Sequence, residues 1–177
     1  GSDSRSSVFK LNIPNTCGKC HSDIQKEFSE SIHGQLVAKG NGDAPSCTNC
    51  HGEHNILNIK DPNAPVAFQN VSSQVCSPCH ESMKLSEKYG LAANRYKTFS
   101  TSYHGLALSG GSASVANCGS CHGVHNIKPS SDPTSMVNKN NLVKTCGTCH
   151  PGANETFTQG NIHVTLEKAD EPILYWI

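Results

Sequence analysis

The residues of this chain best suited to chemistry are its cysteines and histidines, ten of each in 177 residues. All ten cysteines fall in five copies of C-x-x-C-H: Cys17, Cys20 and His21; Cys47, Cys50 and His51; Cys76, Cys79 and His80; Cys118, Cys121 and His122; Cys146, Cys149 and His150. A C-x-x-C spacing serves redox disulfides, zinc sites or covalent haem attachment. A redox disulfide occurs once per domain and makes no use of a following histidine. Structural zinc takes two C-x-x-C pairs together, which five pairs do not satisfy evenly, and it too leaves the next position free. Haem c uses both features. The two thiols add to the porphyrin's two vinyl groups, and the adjacent histidine lies under the iron as proximal ligand. The spacing therefore points to five covalently bound haems c.

Five histidines stand outside these motifs: His33, His54, His104, His125 and His163. Five irons with an imidazole on each face need ten, and the chain supplies ten. All ten are candidate iron ligands, and no catalytic residue is expected, because filled coordination leaves no position for a substrate. Met83, three residues after His80 as His54 and His125 follow their own proximal histidines, reads as a packing residue rather than a thioether ligand.

The motifs are carried by an internal repeat. Residues 17–75 contain Cys17 to His21, then Phe28-Ser-Glu-Ser-Ile-His33-Gly34, then CTNCHGEHNI from Cys47. Residues 76–145 contain Cys76 to His80, then Phe99-Ser-Thr-Ser-Tyr-His104-Gly105, then CGSCHGVHNI from Cys118. Asp61-Pro62 and Asp132-Pro133 follow at the same distance in both units. A partial third unit, 146–163, holds Cys146 to His150, Phe157 and His163. Two and a half copies of a two-haem unit make one pentahaem domain.

Such a chain devotes about 35 residues to each haem, and 35% of its residues are hydrophobic. Its porphyrins must form much of the core, and without them the chain should be largely unfolded. Apolar spacing at Ile24, Phe28 and Ile32 predicts a short helix over 22–33. Similar helices are expected over 82–89, 92–99 and 156–162. The stretches NGDAP, DPNAP, SGGSAS and KPSSDP read as loops. The expected fold is mainly α, with few short helices, much irregular loop, little or no sheet, and haem at its centre.

Which outer histidine serves which iron is less determined. His54 follows His51 by three residues, so on a helical turn both point the same way and His54 must serve another haem. Own-unit pairing sets His33 with His21, His104 with His80 and His163 with His150, leaving His54 to His122 and His125 to His51. A shifted scheme, in which His54 and His125 each serve the next haem along, also closes.

Formal charge is zero with histidine neutral, so no basic surface argues for nucleic acid. Haem propionates would make the loaded protein acidic and its docking salt-dependent. Haem c is attached outside the cytoplasm, so the chain should be exported to the periplasm. Gly1-Ser2 reads as a cloning remnant. The run Glu171-Pro172-Ile173-Leu174-Tyr175-Trp176-Ile177 reads either as an element closing on a haem or, preferred here, as a pre-membrane segment over 164–177 that leads into an anchoring helix.

The repeated F-x-x-S-x-H-G and C-x-x-C-H-G-x-H segments, spread over residues 17–163, resemble those of the bis-histidine multihaem c-type cytochromes. The chain is most similar to small pentahaem electron donors of nitrite reduction and to the pentahaem halves of decahaem conduit cytochromes. The resemblance implies single-electron transfer through closely packed haems, between partners such as a quinol-linked donor and a reductase or outer-membrane conduit. A subunit of a cytochrome filament is the alternative. A reductase with an open haem is less consistent with five unaltered motifs. The intact mass of the purified protein should exceed that of the polypeptide by five haems; free thiols at any motif would contradict this count.

Overall fold

The computed structural model describes residues 2–164; the segment 165–177, with most of the expected pre-membrane run, lies outside the described residues. Ten short α-helices are joined by turns, with no strand among the described residues. They are α1 (Ile13–Cys17), α2 (Ser22–Glu30), α3 (Ile32–Ala38), α4 (Cys47–His51), α5 (Ser77–His80), α6 (Met83–Tyr89), α7 (Arg95–Ser100), α8 (Tyr103–Ser109), α9 (Cys118–His122) and α10 (Leu142–Gly147). A π-helical turn, Val71–Cys76, leads into α5. The segment α2–α3–α4 recurs as α7–α8–α9. No described helix is long and apolar enough to cross a membrane. The mainly helical, sheet-free expectation holds.

The single helix expected over 22–33 is two. Ser31 breaks it, with extended backbone (φ −72°, ψ 159°) between α2 and α3. Its hydroxyl donates to the Phe28 carbonyl at 2.6 Å and accepts the Gly34 N–H at 3.0 Å, so one side chain ends one helix and caps the next. Gly34 is required because a Cβ there would collide with the Phe28 carbonyl. Ser102, Phe99 and Gly105 repeat the device between α7 and α8. The F-x-x-S-x-H-G sequence is thus a helix–corner–helix whose second helix opens beside its histidine. Periodicity cannot see the corner, because the apolar spacing runs through it.

The helix expected over 92–99 begins only at Arg95. Asn94 takes a left-handed conformation (φ 60°), and the Glu81 carboxylate accepts the Tyr96 and Lys97 N–H groups at 2.5 and 3.0 Å. Over 156–162 only a single 3-10 turn, Phe157–Gln159, forms. The helix expected over 82–89 forms as α6, with the Ser82 hydroxyl accepting the Leu85 N–H.

Three staircases of turns lead into the first, third and fifth C-x-x-C-H motifs. In the second, backbone bonds run from Ala64 to Asp61, Ala67 to Ala64 and Asn70 to Ala67, at 2.8–3.0 Å. Asp61 opens it by accepting the Asn63 N–H at 2.9 Å, and the Asn70 amide closes it by donating to the Pro62 and Ala64 carbonyls at 2.7 and 2.9 Å. Asp132 and Asn141 do the same in the third staircase, and Asp3 and Asn12 in the first. The sequence reading noticed Asp61 and Asp132 but missed Asp3 and all three asparagines. The signal was there: Asp and Asn are nine positions apart in every copy.

The buried apolar side chains are few: Ile13, Val37, Phe99 and Leu108, with Ala44, Ala64 and Ala67. Hydrogen-bonded turns carry much of the order that an apolar core supplies elsewhere. Asn70→Ala should therefore cost roughly 1–3 kcal/mol, because it strips partners from two carbonyls beside fully buried Ala64. Chemical denaturation of the loaded protein measures this, with exposed Gln69→Ala as the near-neutral control.

Candidate haem-binding site

The second and fourth motifs are single-turn helices, α4 and α9, each opened by a side chain exchange between the residue before the first cysteine and the residue three further on. The Ser46 N–H donates to Asn49 Oδ1 at 2.8 Å. The Asn117 N–H donates to Ser120 Oγ at 3.1 Å, and the Ser120 N–H returns to Asn117 Oδ1 at 2.9 Å. Serine and asparagine have traded places between the two copies, and the box survives. It presents both thiols and the histidine from one turn. The first, third and fifth motifs lie instead at the ends of the staircases: Cys17 ends α1, Cys76 ends the π-helical turn before α5, and Cys146 lies in the last turn of α10.

The odd motifs dock on the even ones. Cys118 N–H donates to the buried Ser72 hydroxyl at 3.1 Å, and Asn117 donates to the Phe68 carbonyl at 2.9 Å, joining the fourth motif to the staircase of the third. Thiols lie near one another across each junction: Cys17 near Cys47, Cys76 near Cys118, Cys50 near Cys79, and Cys121 near Cys146 and Cys149. Burial first, then the Cys17 thiol, pushes Cys47 up to about 11. Cys76 is raised, chiefly by its bond to Cys118. The five attachment points thus follow one another in space in the order of the sequence, first to fifth.

Among the described residues no group of three or more His, Cys, Asp or Glu converges as a metal cluster. The imidazoles meet in twos. His33 faces His80 with ring centroids 6.2 Å apart, and His51 faces His125 at 6.2 Å. His104 faces His150 at 6.0 Å, and His122 faces His163 at 6.4 Å. Each pair joins one C-x-x-C-H histidine to one outer histidine. Two imidazoles bonded to opposite faces of one metal at about 2.0–2.1 Å place their centroids roughly 6 Å apart, so the spacing fits an iron between them. His21 and His54 are the two left over; both are exposed, and neither is stacked on another ring among the described residues.

The rings do not face one another as own-unit pairing would have them. His33 lies against His80, not His21; His104 against His150, not His80; His163 against His122, not His150. Only His125 with His51 is as that scheme has it. The shifted scheme fails too, because His125 reaches back rather than forward. The reason is stiffness. Helix α2 holds nine residues, a rod about 13 Å long, and the Ser31 corner turns α3 away from the motif it started from. The eleven residues between His21 and His33 carry the second histidine away from its own motif to the next unit. The Ile32 N–H then docks on the Ile127 carbonyl of that unit at 2.8 Å.

Electrostatics favour the neutral imidazole that a metal requires. Burial, with the charge of His80 second, pushes His33 down to about 4. His51, His80, His104, His122 and His163 are all lowered, burial being the first cause in each. Thr98 holds the His163 ring: its hydroxyl donates to the Asn94 carbonyl at 2.7 Å, so its oxygen accepts from Nδ1 at 3.0 Å, and Nε2 is the nitrogen that could take a metal. Met83 is exposed and follows α5 at the start of α6.

The traded capping residues allow a direct check. Ser46→Asn or Asn49→Ser alone should each destabilise the loaded protein by about 1 kcal/mol, and the double exchange should recover most of that loss.

No protein-family model and no solved structure matches the chain. Among curated proteins it is 28% identical over 165 residues to the cytochrome c-type protein NrfB of Haemophilus influenzae, across 76% of this chain and 63% of that protein. It is 26% identical over 182 residues to the cytochrome c-type protein NrfB of Escherichia coli, across 94% of this chain and 82% of that one. With five C-x-x-C-H motifs in a helical fold that has no strand among the described residues, the chain resembles the multihaem c-type cytochromes.

Proposed function

We propose that the chain is a periplasmic electron carrier that binds five haems c, each iron held between two histidines, and does no bond chemistry of its own. The observation that carries this reading is the set of four imidazole pairs at 6.0–6.4 Å, each drawing one ligand from a C-x-x-C-H motif and one from outside. The fifth pair is His21 with His54. Haem c supplies the redox centre when bound. The chain supplies ten thiols for attachment, neutral imidazoles in fixed orientation, and close spacing of successive sites.

Filled coordination suits a carrier, because the iron changes charge with little movement of its ligands. The nearness of Cys17 to Cys47, Cys50 to Cys79, Cys76 to Cys118 and Cys121 to Cys146 favours electron passage along the sequence order, entering at one end and leaving at the other. The names of the relatives, cytochrome c-type proteins, support a haem c electron carrier; a nitrite-reducing acceptor and a quinol-linked donor are the partners we propose for it. Protein partners are expected to dock where end haems approach the surface.

The reduced parent should bind no carbon monoxide, and its ferric form should be entirely low-spin. His33→Ala and His104→Ala should each create one carbon monoxide site and one high-spin signal, and the double variant two. A stoichiometric adduct in the parent would show an open iron and turn the reading toward a reductase.

A further inference from the structure

The two histidines that reach back across a unit boundary arrive at equivalent sockets of opposite character. Glu27 and Thr98 each stand one residue before the phenylalanine of F-x-x-S-x-H-G, Phe28 and Phe99. Each faces Nδ1 of the incoming histidine. The Glu27 carboxylate lies 3.8 Å from Nδ1 of His125, and the Thr98 hydroxyl lies 3.0 Å from Nδ1 of His163. Three residues before Thr98, Arg95 directs positive charge at both His122 and His163. The matching position in the first unit is Ile24, which is uncharged.

These differences act on the iron through its ligand. A carboxylate beside the Nδ1–H makes the imidazole a stronger donor and stabilises the ferric state. A neutral hydroxyl does less, and a nearby guanidinium favours the less positive ferrous state. At 3.8 Å the carboxylate acts by its charge, or through one bridging water, rather than by a direct hydrogen bond.

We propose that Glu27 is a positioning residue that sets the centre between His51 and His125 at a lower potential than the centre between His122 and His163. This rests on the bis-histidine reading above. An electron reaching the first unit then moves to the second: one ferrous iron is oxidised, one ferric iron is reduced, and the His33–His80 centre lies between them. No proton or further reactant takes part. The direction of flow is N-terminal unit to C-terminal unit.

The test is a potentiometric titration of the loaded protein at low ionic strength, followed by optical and paramagnetic spectra. The His51 and His125 rings lie 14° from parallel, against 46–55° in the other three facing pairs, so that centre's ferric signal is separable from theirs. Glu27→Gln should shift this one component upward, and Glu27→Asp should keep it low. The shift should shrink as salt is raised, which a merely structural role would not produce. Arg95→Gln should shift a different component downward. Every variant should remain low-spin without a carbon monoxide site. Unchanged potentials in Glu27→Gln overturn the inference while leaving the bis-histidine reading intact, provided His125→Ala opens one carbon monoxide site. If His125→Ala opens none, the bis-histidine reading falls and the inference with it.

Discussion

A chain that allots about 35 residues to each prosthetic group cannot wrap any of them separately. Its side chains must be shared, and the sharing is done by histidine. His33 and His104 reach forward to the next unit, while His125 and His163 reach back to the previous one. Each boundary is therefore crossed in both directions. Hydrogen bonds follow the same crossings, with Ile32 on Ile127 and Asn126 on Glu30. Tying the loop at 41–43 to α6, Lys88 and Tyr89 both engage Asp43. On the bis-histidine reading proposed above, no unit has a complete ligand set alone.

The local devices exist to make that exchange rigid. A distal histidine must arrive at a fixed distance and angle, and a flexible loop would lose that geometry to entropy. The Ser31 and Ser102 corners set the angle between the rod that carries the histidine and the helix that presents it. The staircases closed by Asn12, Asn70 and Asn141 do the corresponding work for the odd motifs, giving an irregular path the definition of a helix. The even motifs need only one capped turn. Polar side chains of modest size thus take over from the apolar core that this composition cannot supply.

Much of this was legible in the sequence. The cysteine spacing carries the attachment chemistry, because thioether linkage fixes residue types and distances locally. The repeat marks out the unit, and the stretches rich in Gly, Pro, Asn and Ser leave little room for sheet. The pairing of histidines was not legible, because spacers of 12, 24 and 13 residues measure contour length and not direction. Direction came from the stiffness of α2 and from one buried serine, and a helical period reads straight through Ser31. The staircases were missed for a similar reason: an Asp and an Asn nine apart have no hydrophobic period to betray them. Even so, F-x-x-S-x-H-G proved to be a mechanical part rather than a label.

Because ligands cross in both directions, the sites cannot mature alike. The chain emerges N-terminus first, so when haem is attached at Cys76 and Cys79, His33 has already appeared. The same holds for His104 and the last motif. The second motif must wait for His125, 74 positions beyond His51, and the fourth must wait for His163, 41 beyond His122. On the bis-histidine reading the first motif likewise waits for His54, 33 positions beyond His21, so during export three irons would stand with one side open while the other two are already closed. These three would react with any small ligand or oxidant present, and their closing would mark the moment when loosely linked cofactors become a single conducting body. Each late histidine serves as a latch that only a completed chain can engage.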